Sequence, residues 1–150
     1  MRIIIQRVSE AKVEVNQQLV GEISQGLLVL VGIEEEDTQD DLIWLTRKLV
    51  NMRIFVDEAA NMNYSCLDVK GEILVVSQFT LHASTKKGNR PSFIKAAPPD
   101  VAYKLYNQFI QHLQESYSIK VESGKFGAMM KVSLVNDGPV TIFMDSKNKI

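Results

Sequence analysis

Polar side chains follow the apolar run at residues 73–76, which has the composition of a buried strand. They are Ser77, Gln78 and Thr80, and Phe79 stands among them. Polar groups at the end of a buried strand are well placed to line a site, and a hydroxyl becomes a nucleophile when a base activates it. The same pattern is also typical of a strand end whose hydroxyls are hydrogen-bonded within the protein.

The nearest base in the sequence to these hydroxyls is His82. No G-x-S-x-G sequence is present, and no serine, histidine and aspartate form a recognised triad pattern. Hydrolysis of a small ester or amide by Ser77 or Thr80 with His82 is therefore one interpretation without a supporting motif. The other histidine, His112, follows Phe109 by three residues on a predicted helix and is interpreted as a boundary residue.

A second segment, residues 136–141, lies between two apolar runs that are typical of strands. It contains Gly138, which permits backbone conformations that other residues avoid, and Pro139, which fixes φ. Spacing alone favours an ordinary tight turn here. The bond before Pro139 is an X–Pro bond, a kind that is cis in only about 5–6% of cases in folded proteins.

The net charge of −1 argues at first against a nucleic-acid partner, but it conceals an uneven distribution. Residues 73–99 include no Asp or Glu and carry four cations, Lys86, Lys87, Arg90 and Lys95. Such cations and nearby backbone N–H groups are the groups that bind phosphate. Four cations in such a stretch are not rare, so these residues alone favour a solvated basic loop, and a phosphate contact is the alternative.

Several classes of site and location are disfavoured. The single cysteine, Cys66, excludes an internal disulfide and a multi-cysteine zinc site, and it is interpreted as an inert structural thiol. P-loop, G-x-G-x-x-G and H-E-x-x-H sequences are absent, so we expect neither a metal nor a cofactor.

The longest apolar run, residues 26–33, is shorter than the roughly 20 residues that span a bilayer. Without a signal peptide, a cytoplasmic protein with no membrane contact is expected.

Strands must position most of these residues. The predicted strands are residues 3–8, 13–15 and 19–20 as a hairpin, 26–33, 53–56, 73–76, 119–121, 132–135 and 140–144. Helical spacing follows Thr38, an expected N-cap, and the prolines at 98–99. The acidic block at residues 34–37 is interpreted as a solvated helix entry. This order predicts a single α+β domain over residues 1–150, with two main helices and a largely antiparallel sheet.

Two of these segments together resemble the signature motifs of the D-aminoacyl-tRNA deacylase family. They are Ser-Gln-Phe-Thr-Leu at residues 77–81 and Asn-Asp-Gly-Pro-Val-Thr at residues 136–141. The resemblance runs along the whole chain, including Ile-Gln-Arg-Val at residues 5–8 and Arg-Pro-Ser-Phe at residues 90–93. The length also matches a complete family member.

The resemblance implies an enzyme that hydrolyses the ester joining a D-amino acid, or glycine, to the terminal adenosine of tRNA, and that spares L-aminoacyl-tRNA. It implies a cytoplasmic homodimer whose barrel-like, mostly antiparallel sheet is backed by helices in β/β/α layers. The first motif, Ser77, Gln78, Phe79 and Thr80, would form the floor of the site.

The second motif would act as the filter for chirality. By resemblance, Gly138 and Pro139 are joined by a cis bond and enter the site from the other subunit. Backbone N–H groups around Phe79 and Thr80 are expected to hold the oxyanion, and the tRNA 2′-OH to relay the proton. His82, which differs from the residue common after this motif, is expected near the pocket rim or the tRNA end.

Two alternatives stay open beside the deacylase. The first is a dimeric RNA- or phosphate-binding module without catalysis, which the basic loop and the missing triad favour. The second is the small-ester or amide hydrolase described above. The presence of both motifs in order argues against the binding module, because binding alone does not require them.

Overall fold

Strand β1, Arg2–Val15, organises the sheet of the computed structural model, which describes residues 1–150. The other elements are β2 (Gln18–Ile23), β3 (Gly26–Gly32), α1 (Gln39–Asn51), β4 (Phe55–Val56), β5 (Met62–Tyr64), β6 (Glu72–Ser77), α2 (Pro99–Tyr117), β7 (Val121–Ser123) and β8 (Lys131–Asp145). A short 3-10 turn, Phe79–His82, follows β6. The α+β class with two main helices is confirmed.

The main sheet has six strands in the order β2-β1-β3-β6-β7, with β8 paired to β1. Three of its pairings, all with β1, are antiparallel, whereas β3–β6 and β6–β7 are parallel. The sheet curls until β2 meets β7, where a Cβ on Gly21 would lie 2.8 Å from the Ser123 carbonyl oxygen. The sheet is therefore nearly closed and barrel-like, as the resemblance implied.

Two apolar clusters hold these layers together. The larger one lies between the sheet and both helices, and the smaller one lies where β1, β2, β3 and β6 face each other. The predicted helical spacing is confirmed by buried residues at Leu42, Leu45 and Leu49 in α1 and at Leu105, Phe109 and Leu113 in α2. Because these side chains recur every three or four residues, each helix buries one face against the sheet.

The predicted hairpin and helix starts are confirmed. Asn16 and Gln17 join β1 to β2 with positive φ values of 50° and 64°, which suits the twist of a two-residue hairpin turn. Thr38 precedes α1, and its N–H donates to the Asp41 carboxylate at 2.8 Å. Pro99 is the first residue of α2.

Four sequence predictions need correction. The strand at 53–56 is reduced to β4, which pairs with the unpredicted strand β5. The strand at 119–121 begins only at Val121. Asp37 of the acidic block is not solvated, because its carboxylate is buried against the Met1 amine.

The fourth correction concerns residues 136–141, which form no tight turn. The two predicted strands on either side are one strand, β8, which runs antiparallel to β1 along its whole length. The register between them shifts near Val8, so the second motif is an irregularity within a long pair of strands. Such a bulge re-aims side chains without ending the strand, and periodicity cannot distinguish it from a turn.

Candidate functional site

A cavity of about 740 Å³ opens at the ends of β3 and β6. Its lining is mainly apolar and comprises Val31, Ile33, Val76, Ser77, Gln78, Phe79, Phe93, Ala96, Ala97, Pro98, Pro99, Ala102, Phe126, Gly127, Ala128, Met129, Met130 and Val132. No lining residue has a side chain that titrates. The cavity can therefore enclose an apolar or aromatic group, and any polar chemistry in it depends on main chain and amide or hydroxyl groups.

Three residues of the first motif, Ser77, Gln78 and Phe79, line this cavity. Parallel pairing places β6 beside β3, and the Gln78 N–H donates to the Val31 carbonyl at 2.7 Å. The chain then enters the 3-10 turn, in which the Leu81 N–H donates to the Gln78 carbonyl at 3.2 Å. The N–H groups of Phe79 and Thr80 precede this bond and so have no acceptor within the turn.

The hydroxyl of Thr80 is engaged by its neighbour in the motif. Gln78 Nε2 donates to Thr80 Oγ1 at 2.5 Å. Both ring nitrogens of His82 lack a hydrogen-bond partner, so neither Ser77 nor Thr80 forms a nucleophile–base pair with it. His82 is also buried within the fold, so the expectation of a histidine at the pocket rim is wrong.

Two aromatic side chains form the wall at the mouth of the cavity. The rings of Phe79 and Phe93 meet edge to face with their centroids 5.1 Å apart. Phe79 is 54% exposed although it is a large apolar residue, which leaves part of its ring open to a bound group. Edge-to-face contacts fix ring orientation, so this pair gives the cavity mouth a defined shape.

The second motif lies outside the cavity of its own chain. The Gly138–Pro139 peptide bond is cis, as the resemblance implied. Both residues are exposed, and neither lines the cavity. The Val140 N–H donates to Asn136 Oδ1 at 3.0 Å, which closes this irregular stretch of β8 on itself.

Arg7 anchors the second motif and was not among the predicted site residues. Its Nε donates to the Asp137 carbonyl at 2.8 Å, and its Nη1 donates to the Ile54 carbonyl at 2.6 Å. The side chain is buried on the same face of β1 as Ile3 and Ile5. A charged residue at an inward position of an otherwise apolar strand face was the signal that could have identified it.

The four predicted cations are exposed and form no ion pair. Lys86, Lys87 and Arg90 lie in a loop whose ends are joined by reciprocal hydrogen bonds between Ser84 and Ser92 at 2.8 and 2.9 Å. Lys95 follows two residues after Phe93 of the cavity wall. The loop therefore leads from the first motif to Phe93, the aromatic partner of Phe79, and its three cations are unpaired.

Two interpretations of single residues are confirmed. Burial alone raises the pKa of the Cys66 thiol to about 12, so the thiol stays protonated and inert. His112 is partly buried on α2, and its Nδ1 lies 3.3 Å from Ser116 Oγ. No cluster of three or more His, Cys, Asp or Glu residues is arranged to hold a metal ion.

Comparison with known proteins assigns the family. The family model described as D-Tyr-tRNA(Tyr) deacylase matches residues 4–145. The chain belongs to this family. Among curated relatives of the deacylase, the D-aminoacyl-tRNA deacylase of Flavobacterium johnsoniae is 62% identical, and that of Bacteroides thetaiotaomicron is 58% identical. Each alignment covers 99% of both chains.

Solved structures agree with the deacylase fold. A structure titled c-Myc DNA Unwinding Element Binding Protein is 43% identical, with a TM-score of 0.92 over 97% of this chain and 98% of that one. A probable eukaryotic D-amino acid tRNA deacylase shares the fold at 19% identity, with a TM-score of 0.85 over 95% and 97%. Neither helix of this deacylase is long and apolar enough to cross a membrane.

Proposed function

We propose that this chain, as one deacylase domain over residues 1–150, proofreads the chirality of aminoacyl-tRNA by hydrolysing the ester of D-aminoacyl-tRNA and glycyl-tRNA. D-Aminoacyl-tRNA deacylation itself follows from family membership and from full-length similarity to relatives of that name. The reaction takes place in the cytoplasm, where aminoacyl-tRNA is made and used. The proposal of chirality proofreading is supported by the separation of the two motifs within one chain.

A homodimer would bring these motifs together. Gly138 and Pro139 are exposed and do not line their own cavity, so they are available to a second copy. Strand β8 pairs only with β1 and leaves its other edge free, and its exposed side chains include Val135 and Phe143. A long free edge with apolar side chains is a natural surface for association. Each cavity is then completed by the second motif of the other subunit.

Rejection of L-aminoacyl esters follows from this arrangement. D and L esters differ by exchange of a hydrogen and a side chain at one carbon. A main-chain wall of Gly138 and Pro139, held by Arg7, collides with an L side chain and leaves room for hydrogen. Each tenfold of discrimination requires about 1.4 kcal/mol of differential binding, which a steric collision readily supplies. Glycine has no side chain to collide, so the same wall admits it.

Hydrolysis relies on main chain and substrate. The N–H groups of Phe79 and Thr80 have no acceptor within the turn and are positioned to stabilise the oxyanion that forms when water attacks the ester carbonyl. The tRNA 2′-OH relays the proton, because the cavity lining offers no titrating side chain. The Thr80 hydroxyl accepts from Gln78 and shapes the floor rather than attacking the ester.

The tRNA end approaches along the basic loop. Lys86, Lys87, Arg90 and Lys95 are exposed, unpaired and close in sequence to Phe93 of the cavity wall. Phosphate contacts of this kind position a nucleic acid without reading its sequence. This suits an enzyme that accepts many different tRNAs.

One assay tests the proposal and its alternatives. The protein is incubated with D-Tyr-tRNA, L-Tyr-tRNA and Gly-tRNA, and loss of each ester is measured against buffer alone. We expect loss of the D and glycyl esters and survival of the L ester. Equal loss of D and L esters would support the small-ester hydrolase. Retention of all three esters with measurable tRNA binding would support the binding module.

A further inference from the structure

His82 is fully buried at the end of the 3-10 turn, and neither ring nitrogen has a hydrogen-bond partner. No other buried side-chain nitrogen or oxygen in the chain lacks one. A neutral imidazole always carries one N–H, and buried donors in folded proteins are nearly always paired. An unpaired buried donor of this kind points to a partner within reach of a small side-chain movement.

Glu34 supplies that partner. Its Oε2 lies 3.8 Å from His82 Nδ1, and its Oε1 lies 3.9 Å from the Met1 amine. The neighbouring charges already have partners, since the Met1 amine pairs with Asp37 and Arg2 pairs with Asp145. The Glu34 side chain is 23% exposed and therefore keeps the freedom to close the gap to the ring.

Both walls of the cavity are fixed to the stretch that ends with Glu34. On one side, Gln78 bonds to Val31, as described above. On the other side, the Ala97 N–H donates to the Ile33 carbonyl at 2.9 Å, and Glu34 itself forms a bridge with Ala96. The His82 ring packs over Gly32 between these attachments, where a Cβ on the glycine would lie 3.1 Å from Cδ2.

We propose that His82 is a positioning residue for deacylation, whose Nδ1–H bonds to the Glu34 carboxylate and fixes the Phe79–His82 turn against the Ala96–Ala97 wall. It touches no reacting atom. Its effect is on the placement of the Phe79 and Thr80 N–H groups, so its loss lowers the rate of the chemical step more than the affinity for tRNA. This role rests on the proposed function of the same site.

Three substitutions separate the two ring nitrogens. His82→Asn keeps a donor near the position of Nδ1, His82→Gln keeps one near Nε2, and His82→Leu fills the space without a donor. We expect single-turnover hydrolysis of D-Tyr-tRNA to fall about tenfold in the Leu and Gln variants, which is about 1.4 kcal/mol in the barrier. The Asn variant recovers most of the rate, and KM stays within about twofold in all three.

His112→Leu is the matched control, because this histidine lies away from the cavity lining and already has Ser116 as a neighbour. It should leave the rate unchanged. A rate for His82→Leu equal to that of the unmodified protein overturns the proposal. So does equal loss in the Leu, Gln and Asn variants, which would mean that a donor near the position of Nδ1 is not what the turn requires.

A second test does not depend on activity. In a His112→Gln background His82 is the only imidazole, so its ring nitrogens can be assigned by NMR. We expect the proton on Nδ1, and we expect the Nδ1–H signal to shift in Glu34→Ala with a smaller shift in Glu34→Gln. A proton on Nε2, or a signal that Glu34→Ala leaves unchanged, overturns the proposal.

The Glu34→Ala variant also covers the case in which His82→Leu fails to fold. Glu34→Ala should lower the single-turnover rate about as much as His82→Gln, and combining these two should add little, because both remove one interaction. If the rate losses of the two single variants add in full, His82 and Glu34 do not act through a shared interaction. An unmodified protein that hydrolyses no D-aminoacyl-tRNA would contradict the proposed function instead, and the NMR result would still test the His82–Glu34 bond.

Discussion

Arg7 and Asp137 are joined by a hydrogen bond of 2.8 Å from the Arg7 Nε to the Asp137 carbonyl, across 130 residues of sequence. The bond fixes the residue immediately before Gly138, and the same guanidinium holds the Ile54 carbonyl at 2.6 Å. One buried cation thus determines where the second motif stands on the protein surface.

We expect Arg7→Ala to lower the free energy of unfolding by about 2–3 kcal/mol, because two buried carbonyl groups lose a charged donor. Discrimination between D-Tyr-tRNA and L-Tyr-tRNA should fall as well, since the wall loses its support. Urea unfolding and the ratio of the two hydrolysis rates measure these effects. Arg47→Ala, an exposed arginine on α1, is the control and should change neither. Unchanged discrimination in a folded Arg7→Ala protein would show that the wall stands without this anchor.

Gly138→Ala tests the shape of the wall directly. Gly138 has φ of +134°, and a Cβ there would lie 2.7 Å from Arg7 Nη2. We expect a loss of D-Tyr-tRNA hydrolysis of at least about tenfold, since the added methyl group displaces the motif or the guanidinium. Gly88→Ala is the control and is compared by kcat, because Gly88 has positive φ and open space around it and lies in the loop that is expected to affect KM only. Comparable losses at both positions would point to backbone strain in general.

Ser77→Ala and Thr80→Ala should each retain substantial turnover of D-Tyr-tRNA, within about tenfold of the unmodified protein, because neither hydroxyl is paired with a base. A D-Tyr-tRNA whose terminal adenosine lacks the 2′-OH should be hydrolysed far more slowly by all three proteins. Complete loss of turnover in either variant, with tRNA binding intact, would identify a side-chain nucleophile.

The basic loop should govern affinity rather than chemistry. Replacing Lys86, Lys87 and Arg90 by Gln should raise KM for tRNA and leave kcat unchanged. The dependence of binding on salt should also weaken, by about 0.7 in the logarithmic slope for each lost contact to single-stranded phosphate. Lys70→Gln, at an exposed lysine in another loop, is the control. A lowered kcat with unchanged KM would move these cations from the tRNA path to the reaction itself.

The Asp41 carboxyl group makes the free energy of unfolding depend on pH. Burial raises the pKa of this carboxyl group, but hydrogen bonds from Ser146, from the Thr38 N–H and from Lys147 outweigh burial and lower the pKa to about 2. The unfolded chain has the ordinary value of about 3.9, so the contribution is complete above about pH 4 and is lost as pH falls toward 2.

We therefore expect Asp41→Asn to unfold more easily than the unmodified protein at pH 7, by about 1–2 kcal/mol, with the difference shrinking between pH 4 and pH 2. Urea unfolding at several pH values measures this. Asp40→Asn, the exposed neighbour in the same turn, should show a much smaller effect. A gap between Asp41→Asn and the unmodified protein that persists below pH 2 would argue against a titrating origin.

Local patterns predicted the helices and the first hairpin, because spacing at Leu42, Leu45 and Leu49 and the turn at residues 16–17 depend on neighbours in sequence. The first motif was also correctly placed at a strand end. Long-range pairing was not predictable in this way. The continuity of β8 through Gly138 depends on β1, the burial of Asp37 depends on the Met1 amine, and the role of Arg7 depends on carbonyl groups at Ile54 and Asp137.

The cavity lining without a titrating side chain has a consequence for how this protein tolerates change. Peptide groups cannot be removed by substitution, so many exchanges among the apolar lining residues preserve the reacting groups. Insertions and deletions act differently, because removing one residue of β1 near Val8 shifts every later position of the strand to the opposite face. We therefore expect activity to tolerate many substitutions of lining side chains, whereas insertions or deletions in β1 should abolish it.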